Sequence, residues 1–217
     1  MTKNEKNVKL LTMDLNKIWK QYIKDSGTDF VYLIDASTLK TDAVGGYTCV
    51  VLFGKILSKE YINAIKFGQK PKRQEFFITE RKMDALAIEF ANRLETEGYK
   101  STSKIKFGLL PHKTVALKAG LGFIGKNNLL VNEQYGCAIV LGKILTTAPF
   151  KTVKGVSPKN PQCNNCTICI EKCPTKALNG KTWNITVTRE EMLVRKRCNC
   201  CLLCMVYCPY TVKYAKE

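Results

Sequence analysis

Between Asn7 and Lys24 the apolar residues Val8, Leu11, Leu15, Ile18 and Tyr22 recur at helical spacing, which predicts an amphipathic helix. Phe30–Asp35 and Tyr47–Phe53 are short runs rich in Val, Tyr and Phe and read as buried strands. The helical period returns over Thr79–Glu97, with Met83, Leu86, Phe90 and Leu94 on one stripe and Gly98 as the stop. Lys104–Leu110 is expected to be a strand and Pro111–Lys118 a short helix ending at Ala119-Gly120. Asn128–Val131 and Cys137–Leu145 are expected to be two strands joined by a turn around Asn132–Gly136. Strands and helices mix without strict βαβ alternation, which points to an α+β layer fold. Pro158–Pro161 reads as a linker, so the expected division is 1–157 and 158–217.

The longest apolar stretches, such as Phe30–Ile34 and Ala138–Leu141, are strand-length and too short to span a bilayer. The chain opens Met-Thr-Lys-Asn-Glu-Lys with no apolar run behind it. The expectation is a cytoplasmic protein with no membrane partner. There, eleven cysteines at tight spacing are metal ligands more often than disulfides.

Eight of the cysteines form one motif twice. Cys163, Cys166, Cys169 and Cys173, then Pro174, spell C-x2-C-x2-C-x3-C-P; Cys198, Cys201, Cys204 and Cys208, then Pro209, repeat it. In this motif three thiolates hold one 4Fe–4S cubane and the fourth reaches the other. The assignment is therefore Cys163, Cys166, Cys169 and Cys208 for one cluster and Cys198, Cys201, Cys204 and Cys173 for the other. Zinc would call for four ligands in two C-x2-C pairs. Thr188 and Glu191 are spaced as a capping box for a helix leading to Cys198. Cys49 and Cys137 lie in strand-like runs and are expected to be core residues, and Cys200 a bystander.

Charge sharpens the division. Residues 158–217 hold ten Lys/Arg against four Asp/Glu, the remainder 25 against 14. Each oxidised cluster with its thiolates adds about −2, so the loaded C-terminal part approaches neutrality and the rest stays basic. Such a field suits nucleic acid, an anionic cofactor or an acidic protein partner; equally, Lys outnumbering Arg 29 to 6 fits compositional drift. From Gly98 to Asn132 there is no Asp or Glu, while Lys100, Lys104, Lys106, Lys113, Lys118 and Lys126 fall there. That stretch is either a cradle for a phosphate-bearing ligand or a solvated lysine face. Within it Gly120, Gly122 and Gly125 match G-x-G-x-x-G, but a helix precedes and a strand follows, the reverse of a dinucleotide site.

The run Lys118-Ala-Gly-Leu-Gly-Phe-Ile-Gly-Lys-Asn-Asn-Leu-Leu-Val131, then Tyr135-Gly136, a strand ending Leu145-Thr146 and the doubled cysteine motif, resembles epoxyqueuosine reductases. More distantly, it is similar to reductive dehalogenases. The resemblance is specific from about Pro111 to Pro209. It implies an N-terminal nitroreductase-like α/β sandwich domain that binds cobalamin, with flavin as the other candidate, followed by a two-4Fe–4S ferredoxin-type domain that supplies electrons. It further implies that Lys113, Gly120, Gly122, Gly125 and Lys126 contact the cofactor. The implied partners are an electron donor such as a flavodoxin or ferredoxin, and tRNA. Two departures stand out. The family's proton-donating Asp falls near Lys106–Leu109, which has no carboxylate, leaving His112 and Tyr135 as candidate acids. The chain's last residue lies nine beyond Cys208, so the helical repeats of longer members are not expected. The competing class is a non-catalytic electron carrier with a basic docking domain; a third is a cluster-containing RNA-binding sensor.

Overall fold

The computed structural model describes residues 15–39, 41–69, 74–104 and 110–216. The chain divides into two compact units, one of residues 1–55, 77–119 and 140–156, the other of 56–76, 120–139 and 157–217. Two inner stretches, 56–76 and 120–139, thus group with the cysteine-bearing one.

In the first unit, α1 covers residues 15–25; the earlier part of the expected 7–24 helix lies outside the described residues. β1 (Phe30–Asp35) runs antiparallel to β2 (Cys49–Ile56), with Tyr32 opposite Leu52. α3 (Glu75–Thr96), β3 (Ser101–Thr102), α4 (His112–Lys118) and β6 (Ile139–Thr146) follow. The sheet order is β1-β2-β6-β3. β2 is central, and Cys49 to Gly54 are all buried, which explains its unbroken apolar run. α3 buries Thr79, Met83, Leu86, Ala87, Phe90, Ala91 and Leu94, a stripe at i, i+3 and i+4 spacing. Phe90 meets Phe53 of β2 edge-on at 5.1 Å. Each such fully buried side chain contributes about 1.5–3 kcal/mol relative to exposure. Trp19 of α1 is 2% exposed and its indole N–H donates to Glu97 at 3.2 Å, so the aromatic body is buried with its polar edge satisfied. Of the strand expected over Lys104–Leu110, residues 105–109 lie outside the described residues.

The second unit contains α2 (Lys59–Lys66), the β4 (Phe123–Ile124) and β5 (Leu130–Val131) hairpin, and four short helices: α5 (Ile168–Glu171), α6 (Arg189–Met192), α7 (Leu203–Val206) and α8 (Pro209–Lys216). Ser58 caps α2, its hydroxyl accepting from Tyr61 N at 3.2 Å, while the Glu75 carboxylate accepts from Ser58 N at 2.6 Å. α2 packs against α7 and α8. Tyr207 and Tyr214 hydroxyls each donate at 2.8 Å, to the Lys66 and Leu57 carbonyls.

The hairpin corrects one expectation. Leu130–Val131 pairs with Phe123–Ile124, not with the strand after the Asn132–Gly136 turn. The reason is a tight turn at 125–129, closed by Asn128 N donating to Gly125 O at 2.8 Å with Asn128 at φ 58°. A Cβ on Gly122 would stand 2.0 Å from the Val131 carbonyl oxygen, so glycine is what lets the two strands approach.

Candidate metal centre

Short helices and turns set the eight cysteines of the doubled motif. Thr167 to Glu171 makes one helical turn that carries Cys169, with Cys166 N donating to Cys163 O at 2.8 Å just before it. The expected capping box is formed: Thr188 accepts from Glu191 N, and the Glu191 carboxylate accepts from Thr188 N at 2.8 Å. The box, together with the Lys181 ammonium, pulls Glu191 down to about 2, the lysine contact being the largest effect. The helix it caps ends at Met192, and a further 3-10 turn, Arg195–Arg197, delivers Cys198. Pro209 opens α8 directly after Cys208. Pro174, by contrast, enters only a turn.

The fold brings together cysteines distant in sequence. Burial pushes the Cys169 thiol up to about 12, and the neighbouring charges that add to this are Cys208, Cys163 and Cys166. Burial also raises Cys163, with further upward pressure from Cys208 and Cys166. Cys204 rises to about 12 through burial and then through Cys169, Cys201, Cys198 and Cys173. These charge effects link Cys163, Cys166, Cys169 and Cys208 on one side and Cys173, Cys198, Cys201 and Cys204 on the other. Cys208 stands with the first motif and Cys173 with the second, while Cys169 and Cys204 mark where the groups adjoin.

Thiols that raise one another are a donor set waiting for cations, because bound metal removes the mutual repulsion and takes the protons' place. Among the described residues no three His, Cys, Asp or Glu could hold a single metal ion. Thiolates around a multi-iron cluster stand farther apart than ligands of one ion, and the doubled motif supplies the thiols such a cluster takes.

Hydrogen bonds to sulfur already surround the groups. Burial pushes Cys173 up, but donors including Ala177 N at 3.2 Å outweigh it and the thiol falls below its ordinary value. The Cys208 thiol is pulled down to about 7, first by a hydrogen bond from Cys137 and, against burial, also by the Tyr210 and Thr211 amides. Cys200, expected to be a bystander, is exposed, and Cys49 is buried in β2 with its thiol pushed up to about 12 by burial.

Lys126, expected at a cofactor, is only 9% exposed. Its ammonium donates to the carbonyls of Asn164 at 2.6 Å and Cys166 at 3.2 Å, and its amide hydrogen-bonds the Cys163 sulfur. Its charge is therefore spent on the first cysteine loop. Gly125 is hemmed by Asn127 and Val131, both 2.8 Å from where its Cβ would lie, and Gly120 ends α4 at φ 70°. Lys113 lies within α4. The two candidate acids fall in different units. His112 is driven down to about 4, by burial and then by the Lys143 charge, so it is neutral at pH 7 and a poor proton donor there. Tyr135 stacks edge-on against Tyr214 at 5.7 Å.

Residues that sequence reasoning passed over also converge here. Asn127, 4% exposed, donates to Cys137 Sγ at 3.3 Å and to Cys204 O at 3.1 Å. Thr211 is fully buried, and its hydroxyl accepts from Cys137 N at 2.9 Å. The available signal was a polar Lys-Asn-Asn triplet interrupting an apolar run, which is costly to bury unless every group is paired.

In class, then, this is a mixed α/β protein with a cysteine motif, C-x2-C-x2-C-x3-C-P, that occurs twice. The chain is similar to epoxyqueuosine reductases: it is 35% identical to that of Staphylococcus aureus over 106 residues, 48% of this chain and 26% of the relative. With that of Lactococcus garvieae the identity is 42% over 79 residues, 36% of this chain and 22% of the relative. The matched stretch thus spans about a quarter of these curated relatives' length. No family model matches the chain. In fold it is similar to an epoxyqueuosine reductase solved with an epoxyqueuosine-modified tRNA-Tyr stem loop (TM-score 0.56, 16% identity, 93% of this chain and 66% of that one). It is similar also to a reductive dehalogenase whose structure suggested B12-dependent dehalogenation (TM-score 0.60, 18% identity, 89% of this chain and 32% of that one).

Proposed function

We propose that this chain is an iron–sulfur oxidoreductase of the epoxyqueuosine reductase type. It holds one 4Fe–4S cluster on Cys163, Cys166, Cys169 and Cys208 and a second on Cys198, Cys201, Cys204 and Cys173. What supports this reading is the doubled motif together with the charge coupling of Cys208 to Cys163 and Cys169 and of Cys173 to Cys204. When bound, each cluster accepts and releases single electrons. The chain's part is to hold the thiolates, offer N–H donors to sulfur and clasp the first loop with the Lys126 ammonium.

The finer reading places a nitroreductase-like domain over 1–157, a ferredoxin-type domain over 158–217, and cobalamin as the second cofactor, flavin being the alternative. Cobalamin would supply a reducible cobalt. Lys113, Gly120, Gly122, Gly125 and Lys126 are the proposed contacts of that cofactor; Gly122, Gly125 and Lys126 also have packing and hydrogen-bonding duties within the chain. The tRNA partner draws on the solved relative above and on an open depression of about 400 Å³ lined by Asn16, Lys17, Lys20, Gln21, Lys24 and Lys151. A flavodoxin or ferredoxin is the expected electron donor, in the cytoplasm; no helix among the described residues is long and apolar enough to cross a membrane. The same lysines favour the second reading, a non-catalytic carrier docked by an acidic protein.

Anaerobic reconstitution with iron and sulfide, followed by cobalamin titration under visible and EPR spectroscopy, separates the readings. Stoichiometric cobalamin binding with cobalt reducible through the clusters supports the enzyme. Full cluster loading without cobalamin uptake leaves the carrier. Protein that takes up no iron overturns both.

A further inference from the structure

Lys126 is a buried cation that no carboxylate answers among the described residues. It is 9% exposed, and its ammonium forms none of the ion pairs found there. Two of its three N–H donors go to neutral carbonyls, Asn164 O at 2.6 Å and Cys166 O at 3.2 Å. Both partners are held in place. Lys126 lies in the turn where Gly125 N donates to Leu129 O at 3.0 Å and Asn128 N to Gly125 O at 2.8 Å. Asn164 adopts left-handed backbone, φ 41°, where its carbonyl meets the ammonium. The next residue, Asn127, is 4% exposed and reaches the second cysteine loop through Cys204 O at 3.1 Å, with an amide that carries no charge. One turn thus grips both loops, the first with a full positive charge and the second with a neutral donor. Arg195, Lys196 and Arg197, which precede Cys198, are exposed, so water and salt screen them. Taking an ammonium out of water is costly unless an opposite charge compensates it, and two carbonyl dipoles leave the charge of Lys126 standing.

Resting on the cluster assignment above, we propose that Lys126 is the built-in counter-charge of the cluster on Cys163, Cys166, Cys169 and Cys208. Its charge raises the reduction potential of that cluster relative to the one on Cys173, Cys198, Cys201 and Cys204. The sign follows from Coulomb's law. An oxidised core with four thiolates carries about −2, and a one-electron reduction makes it more negative. A cation fixed to the loop that bears three of the ligands is attracted more strongly to the reduced state, so the electron is held more tightly there. Burial matters, because salt screens a pair out of solvent far less than it screens a surface lysine. Two clusters built on one motif are in this way given different potentials, with the charge set against the first loop and a neutral amide against the second.

The test is an EPR-monitored redox titration of the whole chain, reconstituted anaerobically, and of its Lys126→Met, Lys126→Gln and Lys126→Arg variants. Iron and acid-labile sulfide are counted in each sample. Lys126→Met removes charge and donors together, Lys126→Gln removes the charge but keeps an amide donor for the carbonyls, and Lys126→Arg keeps both. In the Met and Gln variants one of the two midpoints should fall by about 59 mV, a tenfold shift for a one-electron couple. Lys126→Arg should hold the wild-type values. Unmoved midpoints in fully loaded Lys126→Gln overturn the proposal, since hydrogen bonding without charge would then suffice, and an equal displacement of both midpoints overturns it too. Should Lys126→Met load poorly, Lys126→Gln alone decides. Wild-type protein that binds no iron would instead overturn the cluster assignment, and this inference with it.

Discussion

Gly136 and Gly68 offer a matched pair of substitutions within the second unit. Both adopt left-handed backbone, at φ 58° and 67°. An alanine Cβ at Gly68 would meet nothing within 4 Å, whereas at Gly136 it would lie 2.3 Å from Thr211 N and 2.4 Å from Thr211 Cα. Gly68→Ala therefore incurs only the conformational cost, about 1–2 kcal/mol. Gly136→Ala incurs the same cost plus the collision. Because the colliding atoms are backbone at the start of α8, relief requires that helix to move, and overpacking of this kind costs about 1–3 kcal/mol or more. Thr211 also receives the Cys137 amide and stands three residues from Cys208, so the displacement is transmitted to a proposed ligand. Melting of the reconstituted protein, followed anaerobically through the visible absorption of its clusters, reads the difference. Taking about 4–8 °C per kcal/mol for a unit of this size, Gly136→Ala should melt roughly 4–24 °C below Gly68→Ala. Equal melting of the two variants would refute the claim that the turn must be bare to seat Thr211.

Other expectations are simpler to read. Cys173→Ala should remove the cluster of Cys198, Cys201 and Cys204, leaving roughly half the iron and the signal of the other cluster, since the motif lends its fourth thiolate across; loss confined to the first motif's cluster would contradict the crossing. Lys126→Met removes buried charged donors from the Asn164 and Cys166 carbonyls. A loss of about 1.5–3 kcal/mol for each such bond should appear as faster iron release to a chelator, and unchanged release would return Lys126 to a purely cofactor-facing role. His112 is buried and repelled by Lys143, so its folded value, about 4, lies below the ordinary 6.5. Its contribution to stability is thus complete above pH 6.5 and is lost as pH falls toward 4, at up to about 1.4 kcal/mol per pH unit. His112→Gln should flatten that part of the acid limb, and an unaltered limb would show that the imidazole is hydrated.

Much of the architecture was legible because it rests on local rules. β1 falls where its Val and Tyr run lies, α3 follows its apolar stripe with one extra turn at its start, and the Thr188–Glu191 box forms as spaced. The pairing of β5 was not legible, because strands of two residues carry no periodicity and the choice of partner was made by the turn at Gly125–Asn128. Nor could spacing reveal that Lys126 and Asn127 face the cysteine loops: both look like surface polar residues until long-range packing supplies carbonyls and sulfur to meet them. The glycine triplet misled for a related reason. A bare backbone suits a ligand or another strand equally well, and Gly122 meets Val131.

The second unit draws on three separate stretches of chain, and this has a bearing on how the protein is made. During synthesis, residues 56–76 and 120–139 leave the ribosome before any cysteine of the doubled motif. The clasping Lys126, the Asn127 amide and the α2 platform for Tyr207 are thus already exposed and waiting when Cys163 emerges. Cysteine-bearing loops that would otherwise be long, reactive and oxidisable can settle onto an existing cradle within seconds of appearing. Maturation of the proposed cluster site on this view waits on two stretches made before it, and a separately expressed fragment of residues 157–217 would have to acquire iron without the surfaces that receive it.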